Sequence, residues 1–216
     1  KTATPTSGTA GGAADYDIAI RQFTQQLHSE LPETTLWGYD DGTGPTFPGP
    51  TIEAYRNEPV TVTWLNDLRD SSGSLRTDHL LSFPTCLHGA ETTDARVVTH
   101  LHGGHVAAAS DGYPEDTLLP GESAVYDYLN WQQAAQIWYH DHALGITRLN
   151  VYLGMAGLYT IRDSVEDSLS LPSGDHEVPV VIQDRTFNPD GSLFYPSGWQ
   201  EHYFGDTILA NGKAWP

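Results

Sequence analysis

Gln136-Ile-Trp-Tyr-His140-Asp-His142 and Val97-Val-Thr-His100-Leu-His102-Gly-Gly each set two histidines one residue apart in a run of β-forming residues. On a strand, residues two apart point to the same face, roughly 6.6 Å apart along it. Each pair can therefore send two imidazoles to one metal ion or to adjacent ones, and two pairs can wall a cluster. Imidazole suits copper, zinc, iron and nickel alike, so the pairs indicate a transition metal without choosing it. Ten histidines in 216 residues would give about 0.5 such pairs by chance. The surrounding sequence has to decide.

Outward from these runs, the chain alternates apolar and polar residues in short segments divided by Gly, Pro, Asn and Asp. Tyr16, Ile18 and Ile20 mark one strand, with a phase shift to Phe23 that allows a bulge. Residues 34–39, 51–55 and 60–65 give three more, the last placing Val60, Val62 and Trp64 on one face. Residues 40–50 are a Gly- and Pro-rich turn region. Residues 66–96 read as a long excursion with one apolar island, Leu80, Leu81 and Phe83. Residues 97–102, 124–129, 137–142 and 157–162 continue the strand series, and 142–153 suits a short helix. So many short strands with almost no helix predict an antiparallel β-sandwich or barrel over residues 15–163. Residues 1–14 are expected to be a flexible N-terminus and 164–177 a linker. A fresh strand at 178–183, a turn at Asn188-Pro-Asp-Gly, a hairpin partner at 193–195 and a strand and turn from Asp206 to Pro216 follow. Those 39 residues are too few for a sandwich core of their own, so 178–216 reads as the beginning of a second domain.

Charge narrows the partners. There are 28 acidic residues, 18 of them Asp, against eight Arg and two Lys, for a net charge of −18. Nucleic acid is excluded, because binding it rests on Lys and Arg neutralising phosphates. No apolar run approaches the ~18 residues of a membrane helix, and no signal-peptide core is present. The expectation is a secreted, extracellular protein whose export signal is removed or lies outside this chain. Such an acidic surface suits either an ordinary secreted protein or adaptation to high salt, and the scarcity of Lys favours the halophilic reading. Cys86 is alone, closes no disulfide within the chain, and is expected to be a buried small hydrophobe.

The ordered motifs His100-Leu-His-Gly-Gly, Ser110-Asp-Gly-Tyr-Pro-Glu115, Trp138-Tyr-His-Asp-His142 and Thr147-Arg-Leu-Asn-Val-Tyr resemble the first domain of multicopper oxidases, in the spore-coat laccase and bilirubin oxidase branch. Gly44-Pro-Thr-Phe-Pro-Gly-Pro-Thr51, Leu171-Pro-Ser-Gly, Asp184-Arg-Thr, Asp190-Gly-Ser-Leu-Phe-Tyr-Pro-Ser and Asn211-Gly-Lys-Ala-Trp-Pro extend the likeness over residues 15–216. The resemblance implies cupredoxin-like Greek-key β-sandwich domains. It implies copper held by His100 as a type-2 ligand and by His102, His140 and His142 as type-3 ligands. The remaining half of the trinuclear cluster and the blue copper would belong to further polypeptide of the same oxidase. The implied reaction is one-electron oxidation of small phenolic, aromatic or tetrapyrrole substrates, with O2 reduced to water.

Asp111 matches an acidic residue that could orient water and relay protons near the type-2 copper, although an Asp before Gly is also ordinary turn chemistry. Asp141 should point away from its flanking histidines, Trp138 and Tyr139 should be packing residues, and His105 a loop histidine. His28, His79, His88, His176 and His202 receive no role. Cys86 lacks the His-Cys-His setting of a blue-copper thiolate. A zinc hydrolase is disfavoured because no Glu of a His-Glu-x-x-His helix accompanies the histidines. A non-catalytic copper-binding module and a metal-free structural relative stay open as alternatives.

Overall fold

In a computed structural model, residues 1–215 are described, and Pro216, the end of the expected tail strand and turn, lies outside them. Two sheets face each other. The first contains β1 (Ser7–Gly8), β2 (Ala14–Gln25), β3 (Thr34–Asp40), β5 (Val60–Asn66) and β7 (Ser123–Tyr128), with β2 paired to β1, β3 and β5, and β5 to β7. The second runs in the order β4 (Gly49–Tyr55), β9 (Ala156–Arg162), β8 (Ala135–Asp141), β6 (Thr99–His102). The strands alternate as the sequence requires: Val60, Val62 and Trp64 are buried while Thr61, Thr63 and Leu65 are less so.

The expected antiparallel sandwich is in fact mixed. β2 pairs β5 in parallel, and β4 pairs β9 in parallel. The chain crosses from β3 to β4 in the opposite sheet before returning as β5, and β5 to β8 lie between β4 and β9, so neither parallel pair is joined by a hairpin. Aromatic rings dominate the space between the sheets: Trp37, Trp64, Tyr16, Tyr39, Tyr128, Tyr139 and Tyr159 are all fully buried. Tyr39 packs edge-on against Tyr139 at 4.8 Å and Trp64 at 5.5 Å. Burying these seven large rings, together with aliphatic residues such as Ile18, Ile52 and Ile161, supplies the apolar area that holds the two sheets together.

Residues 1–14 are tied down rather than free. Ala3 is buried, its N–H donates to the Thr51 carbonyl, and the Lys1 ammonium reaches the buried Asp41 carboxylate at 2.8 Å. The Asp41 carboxyl is lowered to about 2; burial works against this, and hydrogen bonds from Lys1, Thr4 and Thr43 outweigh it. Composition could not show this, because the anchor is a carboxylate some forty residues away. Cys86 is exposed, not buried, since it stands in the turn-rich excursion outside both sheets. Helix α1 (Thr147–Leu153) occupies the stretch where a short helix was expected, and α2 (Ser164–Asp167) begins the exposed linker, capped by the Asp163 carboxylate.

In the last segment the register differs from expectation. The strand is β10 (Ile182–Arg185), and it pairs with β11 (Thr207–Ala210), which pairs in turn with β12 (Lys213–Ala214). Pro179 has no N–H for a ladder, so residues 178–181 are instead held by the Asn211 side chain, which accepts from Val181 N and donates to Pro179 O. The Asn188-Pro-Asp-Gly turn forms, yet its arms are Thr186–Phe187 and Leu193–Phe194, not 178–183. Leu193, Leu209 and Ala214 join the main core, whereas Val178, Val180, Ile182 and Phe204 are exposed.

His79, which the sequence left without a role, is buried in the excursion. Its Nε2–H donates to Asn150 Oδ1 at 2.9 Å, its Nδ1 accepts from Leu81 N–H at 3.0 Å, and its ring lies 4.6 Å from Trp37. Burial pushes its pKa down to about 4. Because the folded value lies below the ordinary 6.5, the contribution of His79 is fully present above pH 6.5 and is lost as pH falls through 4. Urea unfolding at pH 7.5 and 4.5 should show the wild type losing about 2–3 kcal/mol more than His79→Gln over that interval. Equal losses in the two proteins would contradict a buried neutral imidazole.

Candidate metal centre

The antiparallel pairing of β6 with β8 builds the site. His100 lies directly opposite His140, and His102 opposite Trp138. Thr99, Leu101, Tyr139 and Asp141 turn into the protein, which leaves the histidines together on the outer face. His142 follows the end of β8, held by its N–H donating to the Val98 carbonyl at 2.8 Å. The His100 ring stands 5.7 Å from His102, 5.5 Å from His140 and 5.1 Å from His142. All four histidines expected from the sequence therefore meet. Nitrogen atoms of His100, His102 and His140 lie within 4.8 Å of one another.

Hydrogen bonds set the imidazoles. His100 Nδ1 lies 2.6 Å from the Asp111 carbonyl oxygen, so Nδ1 donates and the Nε2 lone pair is left free. This approach requires Gly112, at φ 73°, because a Cβ there would lie 2.1 Å from the Thr99 carbonyl oxygen. His140 Nδ1 similarly donates to the Asp141 carbonyl at 2.7 Å. The His140 pKa is lowered to about 4, first by burial and then by the neighbouring histidines, against the pull of that hydrogen bond. The ring is therefore held in the neutral form that a ligand needs.

The donor set fits a transition metal. His102 Nδ1 and His140 Nε2 face each other at 3.2 Å. Two imidazole nitrogens each ~2.0–2.1 Å from one tetrahedral ion would stand about 3.3 Å apart. His142 Nδ1 is buried without a hydrogen-bond partner, a condition that a ligated or bridged nitrogen would relieve.

Asp111 extends its carboxylate to 3.4 Å from His100 Nδ1 with the side chain 47% exposed, so it borders both the cluster and solvent. Asp141 points the opposite way: its carboxylate accepts from Val98 N and Ala143 N, both at 3.0 Å, and from Asn150. Burial raises its carboxyl to about 7 despite these bonds. Asn150 also donates to the Arg96 carbonyl and binds His79, which makes it the knot between α1, the end of β8 and the excursion. Its place in Thr147-Arg-Leu-Asn-Val-Tyr carried no chemical signal by itself. His105 is exposed, with its N–H donating to Gln132 Oε1. His88, His176 and His202 are exposed as well, and His28 lies beside Phe187.

Residues 88–166, which span the whole histidine cluster, match the multicopper oxidase family. The laccase of Bacillus subtilis is 45% identical over 93% of this chain, and the laccase of Haloferax volcanii is 42% identical over 97% of it. The chain belongs to the multicopper oxidase family. The bilirubin oxidase of Albifimbria verrucaria is 34% identical over 93% of the chain. Among solved structures, the laccase of Pediococcus acidilactici superposes with a TM-score of 0.77 at 26% identity, covering 100% of this chain and 41% of that one. The two sheets are accordingly a multicopper oxidase cupredoxin-like sandwich. Family membership implies copper as the metal. The chain spans 42% of the length of the B. subtilis laccase and 30% of that of the bilirubin oxidase.

Proposed function

We propose that this chain forms part of a laccase-like multicopper oxidase, in which it contributes one wall of a trinuclear copper centre. The observation that carries the reading is the convergence of His100, His102, His140 and His142 on one sheet face, with nitrogens spaced for shared ligation. In this assignment His100 holds the type-2 copper, and His102, His140 and His142 hold the type-3 pair. Bound copper supplies one-electron redox chemistry and the four-electron reduction of O2 to water.

The chain's own residues supply orientation and proton movement. The Asp111 carbonyl keeps the proton of His100 on Nδ1 and frees Nε2, while the Asp141 carbonyl does the same for His140. The half-exposed Asp111 carboxylate can take a proton from solvent and carry it to the edge of the cluster. Further polypeptide of the same oxidase, with the other histidines and a cysteine-bound blue copper, completes the centre. Small phenolic or other aromatic donors, or tetrapyrroles, give up electrons there. The exposed Val178, Val180, Ile182 and Phe204 suit residues 178–216 to be the beginning of a second domain that continues in that polypeptide.

Copper quantification and an oxygen electrode test this on the protein that contains the chain. Copper bound at the four histidines with O2 uptake on a phenolic donor supports the oxidase. Copper without O2 uptake leaves a binding module, and no copper leaves a metal-free relative. Secretion is read from composition, and detection of the protein in culture medium tests it. For the high-salt reading, a net charge of −18 should destabilise the fold in dilute buffer, and molar KCl, with a Debye length of about 3 Å, should relieve that repulsion. The melting midpoint should rise by several degrees between 0.05 and 2 M KCl; a flat or falling midpoint leaves an ordinary acidic secreted protein.

A further inference from the structure

The four histidines are not equally secured. His100 and His140 each donate Nδ1–H to a backbone carbonyl, but His102 is exposed, and among the described residues the hydrogen-bond contact of its ring is with His140 itself. Histidines that bind metal almost always have their second nitrogen fixed by a carboxylate, carbonyl or water, and this orients the ring. Some other group must set the plane of His102.

Trp138 stands where that group is needed. It lies across the strand pair from His102 and two residues before His140 on the same strand, so its indole emerges on the face of the histidines. Side chains two apart on a strand are ordinarily about 6.6 Å apart, yet the Trp138 and His140 rings stack at 4.1 Å with 27° between their planes. The His102 ring lies 5.2 Å from the same indole at 34°. One rigid aromatic plane thus underlies both imidazoles whose nitrogens face each other at 3.2 Å. The Trp138 indole also borders an apolar groove lined by Ile137, Leu158 and Val180.

We infer that Trp138 is a positioning residue for the metal centre: its indole clamps His102 and His140 so that their facing nitrogens are set for one ion before it arrives. The inference rests on the metal-centre reading above. Electron withdrawal from a ligated imidazole also strengthens its stacking on an electron-rich ring, so the clamp tightens on loading. Packing alone predicts something different: any apolar residue of similar bulk at 138 would serve.

The test uses the full oxidase containing this chain, stripped of copper and titrated with Cu(I) against a chromophoric chelator. Alongside it run Trp138→Phe, Trp138→Leu, Trp138→Met and His140→Ala, with apo-protein melting curves and tryptophan fluorescence. Trp138→Leu and Trp138→Met should each lose 10–100-fold in affinity, the range for removal of a group that orients a ligand, while Trp138→Phe stays within about threefold of the wild type. Wild-type fluorescence should be quenched on loading with Cu(II), and the part owed to Trp138 should be missing in all three variants. Affinities that are equal in the Phe, Leu and Met proteins overturn the clamp whatever their melting points, since they show that apolar bulk suffices. If Trp138→Leu fails to fold, the comparison of Met with Phe decides alone. Should His140→Ala bind copper as tightly as the wild type, the metal-centre reading itself fails; if His140→Ala loses copper and the position 138 variants do not, only the clamp does.

Discussion

Copper affinity at the histidine cluster should fall about 100-fold or more on His140→Ala, and not at all on His105→Ala. The two histidines make a sharp pair because both stand in or beside a His-x-His run, yet the structure separates them. His140 is buried at 5% exposure, keeps a free nitrogen 3.2 Å from His102 Nδ1, and is held neutral at physiological pH. His105 is exposed beyond Gly103-Gly104, held through its backbone to Gln132. Loss of an outer partner of a ligand costs 10–100-fold in metal affinity, so loss of a ligand should meet or exceed the top of that range. Chelator competition on the protein containing this chain reads both numbers. Equal losses in the two variants would mean that copper is gathered by surface histidines in general, and the cluster assignment would be wrong.

The placement of His140 was legible because a strand has period two: once Trp138, His140 and His142 share a phase and His100 and His102 share another, pairing the two strands suffices to bring them together. Most of the sandwich could be read in the same way, from Tyr16-Ile18-Ile20 to Val60-Val62-Trp64. What local pattern could not show were contacts between residues distant in sequence. Asp41 anchors Lys1, Asn150 gathers His79 and Asp141, and Asn211 replaces a ladder at Pro179. Each is a polar side chain meeting backbone or charge brought near by the fold, and such partners leave no periodic trace. Trp138 is a related case. Its strand phase put it on the histidine face, but only the pairing of His102 opposite it shows that one indole lies against two imidazoles.

Expressed alone and loaded with copper, residues 1–216 should consume no oxygen on a phenolic donor and show no absorption near ~600 nm, the region expected of a blue copper centre. A blue site needs a cysteine thiolate with two histidines, and the sequence offers one cysteine, Cys86, on an exposed turn with His88 turned to Glu91 at 3.4 Å. Without that site no electron reaches the cluster from substrate. Four imidazoles on one sheet face also leave the far side of each ion open to water, so copper bound here alone should exchange readily with chelators. The exposed Val178, Val180, Ile182 and Phe204 should make the isolated chain prone to self-association, which light scattering would detect. Adding back the remaining polypeptide should restore turnover, tighten copper retention and suppress association together, because one docking event would close the cluster and cover the apolar face. Sustained turnover by residues 1–216 alone would show that electron entry lies within this chain, and the division of labour proposed for it would have to be abandoned.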